Sequence, residues 1–342
     1  MHFFALKATD LYCLLHAYDS ILAFFIFNYT MIKTAFIFPG QGAQSMGMMS
    51  DWDKHQPIVR DIYGRASELL GYDLWEIVSE GPAEKLNQTE ITQPAMLCAS
   101  VACWQIVTAQ EEIPIPSMMA GHSFGEYSAL VCAGSLALED AVKLVSYRGQ
   151  LMQSAVPPGE GAMAAVIGLD DDSVIAACTS VVSGVVEATN FNSEGQVVIA
   201  GNKAAVDEAM ENAKALGAKR VLPLAVSVPS HCSLMTEAAD QLFESLSNTA
   251  FEMPTIPVVH NQNADIATSV EDIKQLLKKQ LYQPVRWADS VRLMHSKGIE
   301  CLIECGPGKV LSGLTRRIEK SMQSQSVSDM TSLEKTIKSF SE

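Results

Sequence analysis

From residue 31 onward, short apolar runs alternate with longer stretches of helical period. This alternation predicts an α/β fold with a mainly parallel sheet, since parallel strands need crossover helices and are buried on both faces. Strands are expected over 34–38, 117–121, 163–168, 185–190, 196–200, 220–226, 256–260 and 301–304. Helices are expected over 57–70, 94–109, 124–133, 138–154, 203–216, 232–247, 271–280 and 308–321. Pro157-Pro158-Gly159 and Val228-Pro229 punctuate the pattern. Between them, 162–227 reads strand, helix, strand, a hairpin at Asn192-Ser193-Glu194-Gly195, strand, helix and strand, the βαββαβ order of a ferredoxin-like unit.

The expected organisation is therefore a large α/β domain built from 31–157 and 228–325, an inserted ferredoxin-like domain at 158–227, and a cleft between them. Residues 1–30 read as an extension outside the fold, and 326–342 as a Ser-rich C-terminal tail, loose at its end. The apolar run Ile21–Phe27 is far shorter than the roughly 20 residues of a membrane-spanning helix, so no membrane association is expected. With Lys7 as the one Lys or Arg before position 33 and no Ala-x-Ala-like cleavage site, the extension does not read as a signal peptide either. Met31 stands directly before the first strand, where the functional protein is expected to start.

Composition narrows the function. The chain has 342 residues, 48% hydrophobic and 18% charged, which excludes disorder, collagen and coiled coil. A net charge of −15, without a long basic run, opposes nonspecific binding to nucleic acid. Eight cysteines without a Cys-x-x-Cys spacing read as the reduced thiols of a cytoplasmic protein. No His-Glu-x-x-His and no Cys/His cluster at zinc spacing occurs, so no metal is expected. Gly40-Gln41-Gly42-Ala43-Gln44-Ser45 lacks the third glycine of a dinucleotide fingerprint, and Gly306-Pro307-Gly308-Lys309-Val310 lacks the Ser/Thr of a phosphate loop. No nucleotide cofactor is expected, and the latter segment reads as a turn opening a helix.

Gly121-His122-Ser123-Phe124-Gly125 lies between an apolar strand and a helical run. That is the setting of a nucleophile elbow, in which a strained serine is lifted into a cleft and the next amide, that of Phe124, faces the developing oxyanion. A serine needs a base. Of seven histidines His231 is the best placed, on the expected first turn of a helix, where the dipole favours neutral imidazole; a solvated or capping histidine is the other reading. His122 should point away from its neighbour. On the helix 138–154, Arg148 falls on the apolar stripe of Leu138, Ala141, Leu144, Val145, Leu151 and Met152. An inward guanidinium requires an anionic partner: either a structural carboxylate or a ligand carboxylate gripped by two hydrogen bonds, unless it snorkels.

Four segments occur in one order: Phe38-Pro39-Gly40-Gln41-Gly42-Ala43-Gln44, Gly121-His122-Ser123-Phe124-Gly125-Glu126-Tyr127-Ser128-Ala129, Val228-Pro229-Ser230-His231 and Glu304-Cys305-Gly306-Pro307-Gly308-Lys309. Together they closely resemble the malonyl-CoA:acyl carrier protein transacylases of bacterial fatty-acid synthesis, over about 31–321. The resemblance implies a hydrolase-like large domain with a ferredoxin-like insert, and a ping-pong transfer of malonyl from malonyl-CoA to the phosphopantetheine thiol of acyl carrier protein. It implies Ser123 as nucleophile, His231 as base, the amides of Gln41 and Phe124 as oxyanion hole, and Arg148 as holder of the malonyl carboxylate. It further implies a main-chain carbonyl within Gln280–Val285 that steers the histidine, and Gln280, Asn190 and Asn192 near the substrate. Arg286, Lys309, Arg316 and Arg317 are the basic candidates for docking the anionic carrier, and a monomer is expected. Phe124, where methylmalonyl-selective polyketide enzymes have glutamine, favours malonyl. A serine thioesterase, an acyltransferase for another extender unit and a noncatalytic carrier-binding module are the competing readings.

Overall fold

The computed structural model describes residues 32–226 and 228–341. The apolar run at 21–27 and the expected start at Met31 lie outside them. Five strands form a parallel sheet in the order β7-β2-β1-β8-β9: β1 Thr34–Phe38, β2 Met118–Gly121, β7 Val258–Val259, β8 Cys301–Cys305 and β9 Gln323–Val327. Helices cover both faces of such a sheet, which is why β1 and β8 are buried at every position. Glu304 is the one charge on β8, and its carboxylate is spent on capping: it accepts the amides of Leu311 and Ser312 at 3.1 and 2.8 Å, fixing the start of the helix Val310–Ile318. Burial raises its pKa against the pull of those amides.

A second, antiparallel sheet follows the order β4-β5-β3-β6, with β3 Gly161–Ile167, β4 Val186–Ser193, β5 Gln196–Asn202 and β6 Arg220–Pro223. The helices Asp171–Thr179 and Lys203–Ala215 supply apolar faces to its own core, built around Val166, Val174, Val197, Ile199 and Val206. The two sheets meet where β4 bonds to the main chain at Val285: the amide of Val285 donates to Thr189 at 2.9 Å and that of Phe191 to Val285 at 3.0 Å. This junction sets Asn190 and Asn192 over the carboxyl ends of the parallel strands, where open α/β sheets bind ligands.

Several elements differ from expectation. The helix expected at 94–109 spans Thr89–Thr108 with Pro94 inside it; burial of most of its length outweighs the amide that proline lacks. It alone among the described helices has the length and hydropathy of a membrane span, and it is the core helix of this fold. Most of the segment expected as a tail at 326–342 is regular structure up to residue 341: Val327 ends β9, which pairs in parallel with β8, and the helix Met330–Ser341 follows it. Asp51 and Cys103 anchor this segment by bonds to the amide of Met330 and the carbonyl of Val327. The strand expected at 256–260 shrinks to two residues, and helices not read from the sequence occur at Leu74–Glu80 and Trp287–Ser296.

The elbow depends on two close approaches. A Cβ on Gly121 would fall 1.9 Å from the carbonyl of Gly125, and one on Gly125 2.5 Å from that of Phe38. Gly121→Ala is therefore expected to lower the unfolding free energy by about 1–3 kcal/mol and to displace Ser123. Chemical denaturation together with labelling of Ser123 checks this; an unchanged midpoint with undiminished labelling would contradict it.

Candidate active site

Ser123 follows β2 with φ +54°, in the left-handed region, and precedes the helix Gly125–Cys132. A non-glycine residue there stores about 1–3 kcal/mol of strain and persists only if its surroundings dictate it. They do: its amide donates to Asn261 Oδ1 at 2.7 Å, and Asn261 Nδ2 donates to the carbonyl of Gly121 at 2.6 Å, so one side chain grips both sides of the bend. The Ser123 hydroxyl donates to His231 Nε2 at 2.8 Å. His231 Nδ1 donates to the carbonyl of Gln280 at 2.6 Å. Since a carbonyl only accepts, Nδ1 carries the proton and Nε2 presents its lone pair to the serine, the tautomer of a general base.

His231 does not occupy the first turn of a helix. It sits at φ +65° before the short 3-10 turn Ser233–Met235, and its amide is held by Leu281 at 3.0 Å. The physical cause of its neutrality differs accordingly. Burial comes first and the charge of Arg148 second; together they lower its pKa to about 3 against the opposing pull of the Gln280 carbonyl.

Arg148 is 1% exposed, on the helix Leu138–Ser154. Its Nη1 donates to Gln93 Oε1 at 2.9 Å, and its Nη2 to Gln280 Oε1 at 3.0 Å and, more weakly, to Ser123 Oγ at 3.4 Å. Nε is buried without a partner, and no carboxylate pairs with the guanidinium among the described residues. The structural salt bridge and the snorkelling side chain are thus both excluded. Burial lowers the arginine's pKa, and the nearby Tyr127 and Glu126 counter it.

These groups open into a cavity of about 540 Å³. Gln41, His122, Ser123, Arg148, Asn190, Asn192 and His231 line it, as do Met163 and Val198 of the second sheet and Val310 and Leu314. The amides of Gln41 and Phe124 have no acceptor among the described residues, leaving both available to an oxyanion. His122 turns from Ser123 to donate from Nε2 to Asn192 Oδ1 at 2.8 Å, so that asparagine is engaged by the protein. Asn190 accepts from its neighbour Thr189 at 3.1 Å. Gln280, expected near the substrate, is wholly buried behind the wall; it acts on His231 and Arg148 instead of reaching the cavity. Among the docking candidates, Arg286 is paired with Asp289, Arg316 bonds to the carbonyl of Ser324, and Arg317 reaches Gln196 on the cavity rim.

Four participants were not read from the sequence: Gln93, Glu126, Asn261 and His260, whose Nδ1 donates to Glu126 Oε1 at 2.6 Å. Glu126 did carry a signal of the kind that exposed Arg148, a charge within the otherwise uncharged helix Gly125–Cys132. The others are brought in by chain distant in sequence. Among the described residues no group of three His, Cys, Asp or Glu side chains is arranged to hold a metal ion.

Residues 35–341 match the acyl transferase domain family. The chain is 52% identical over 304 residues to the malonyl CoA-acyl carrier protein transacylase of Escherichia coli (strain K12), covering 89% of this chain and 98% of that protein. Among solved structures it is similar to the malonyl CoA-acyl carrier protein transacylase of Coxiella burnetii, at a TM-score of 0.89 and 44% identity over 92% of this chain and 100% of that one. It is also similar to a malonyl-transacylase solved in complex with its type II PKS acyl-carrier protein, at a TM-score of 0.88 and 50% identity over 90% and 99% of the two chains.

A histidine of ordinary pKa would impose an acid limb near pH 6.5 on acylation of Ser123. With the folded value lowered to about 3, the base stays neutral as the pH falls through that range, and the limb moves below it. The same shift costs stability: the unfolded chain takes up a proton below about 6.5 that the folded one refuses, so stability declines from there toward pH 3. Single-turnover acylation between pH 5 and 8 checks the first point; a titration near pH 6.5 would contradict it.

Proposed function

The chain belongs to the acyl transferase domain family, among the malonyl CoA-acyl carrier protein transacylases, and from that premise we propose that it works through a malonyl ester of Ser123. It is an acyltransferase that moves malonyl from malonyl-CoA to the phosphopantetheine thiol of an acyl carrier protein, for fatty-acid synthesis. His231 Nε2 takes the Ser123 proton as Oγ attacks the thioester, and the amides of Gln41 and Phe124 receive the oxyanion. The imidazolium then protonates the departing CoA thiolate. In the second half the carrier thiol attacks the ester, its proton passing through His231 back to Ser123. One thioester is exchanged for another, so the balance is nearly even.

The observation that carries this reading is Arg148: a buried guanidinium beside Ser123 Oγ whose nearest hydrogen-bond partners are neutral amides. A malonyl carboxylate supplies the missing anion by two parallel hydrogen bonds. It also offsets the positive charge that disfavours imidazolium at His231, so recognition of the diacid strengthens the base. The antiparallel order β4-β5-β3-β6 supports reading the second sheet and its two helices as a ferredoxin-like subdomain set on a hydrolase-like domain. The buried free thiols support a cytoplasmic setting.

Arg148→Ala is expected to slow malonyl transfer to Ser123 by about a hundredfold, as fits loss of one partner of a buried charge pair, while transfer of neutral acyl groups holds or rises. Acylation rates with malonyl-CoA and acetyl-CoA measure it. A serine hydrolase would lose both alike or neither, and that result would overturn the reading.

A further inference from the structure

Glu126 has no part in the mechanism above, yet it is fully buried within a few residues of the nucleophile. Three N–H groups converge on its carboxylate: His260 Nδ1 on Oε1 at 2.6 Å, and the amide of Asn261 and Gln280 Nε2 on Oε2 at 2.9 and 2.8 Å. An acceptor with three donors and no exposure is satisfied as an anion is. Gln280 is the bridge. Its Nε2 faces two acceptors, Glu126 Oε2 and the carbonyl of Ser123, while its Oε1 faces Arg148 Nη2 at 3.0 Å, so its amide has one consistent orientation. The chain of contacts therefore runs cation, amide dipole, anion, and the field of Glu126 acts on Arg148 without contact.

Burying an unpaired guanidinium costs several kcal/mol, but a carboxylate in contact with it would occupy the donors that the ligand needs. We infer that Glu126 is the counter-charge of Arg148, set one amide away so that it offsets the buried positive charge and keeps the guanidinium aimed while leaving its donors to the malonyl carboxylate, which it also repels enough to release. This rests on the malonyl reading above. Glu126 is a positioning residue. Through Asn261 the same carboxylate steadies the bend at Ser123, which ties clamp and nucleophile to one buried anion.

Glu126→Gln keeps the shape and removes the charge. Its NH₂ can face His260, whose Nε2 is buried without a partner and whose ring can exchange tautomers. With the repulsion gone, the half-saturating malonyl-CoA concentration for single-turnover acylation of Ser123 should fall by about tenfold, within the range expected inside one hydrogen-bond network, while that for acetyl-CoA moves far less. Structural damage would raise both. A malonyl value that stays or rises overturns the inference, and leaves the malonyl reading intact if the unsubstituted enzyme is still labelled by malonyl-CoA. Denaturation of E126Q, R148M and the double variant provides the second measurement. Coupling between these two residues that do not touch is expected, with R148M repairing the loss caused by E126Q, even where E126Q alone does not fold. Additive losses, or a double variant that stays unfolded, overturn it.

Discussion

A guanidinium in a desolvated pocket is tolerable only if its surroundings were shaped for it, and the site can be read outward from that requirement. Arg148 is surrounded by two glutamine oxygens, the ring of Tyr127 at 6.0 Å and the field of a carboxylate one residue removed. Each glutamine is fixed in turn: Gln93 by Met152 Sδ, Gln280 by Glu126 and the carbonyl of Ser123. This arrangement holds a positive charge ready while leaving part of its hydrogen-bonding capacity unused. Such a site selects by charge and shape, since a neutral acyl group leaves the charge unanswered.

The same charge governs the base. His231 lies close enough to Arg148 to feel it, and burial adds to the effect, so the imidazole rests as a neutral acceptor beside the serine. No triad carboxylate is needed to orient it, because the Gln280 carbonyl fixes its tautomer. Gln280 thus serves three functional groups at once: its main chain orients the histidine, its Oε1 holds the arginine, and its Nε2 steadies the elbow.

What the sequence disclosed follows from which interactions are local. β1 and β8 were legible as short runs dominated by apolar residues, Glu304 being the exception on β8, and the elbow as glycines placed about a serine between a strand and a helix. Arg148 stood out because a charge on an apolar stripe conflicts with its neighbours. By contrast β9, with the sequence Gln-Ser-Gln-Ser-Val, carries no apolar run; its pairing with β8 creates it. His231 was identifiable as a residue but not in its conformation, since the left-handed histidine is held by hydrogen bonds to the carbonyls of Leu281 and Gln280, far away in sequence. Asn261 and Gln93 are chemically ordinary residues that become functional by long-range placement alone.

The central claim is that one hydroxyl, primed by a neutral imidazole, accepts a diacid unit whose free end meets a guanidinium. Mass spectrometry of the protein and its peptides after mixing with equal amounts of malonyl-, methylmalonyl-, acetyl- and succinyl-CoA tests it most directly. The account predicts a single adduct, malonyl on Ser123, lost on addition of an acyl carrier protein bearing a free phosphopantetheine thiol. Acetyl in place of malonyl, an adduct on another residue, or loss to water as fast as to the carrier would contradict it.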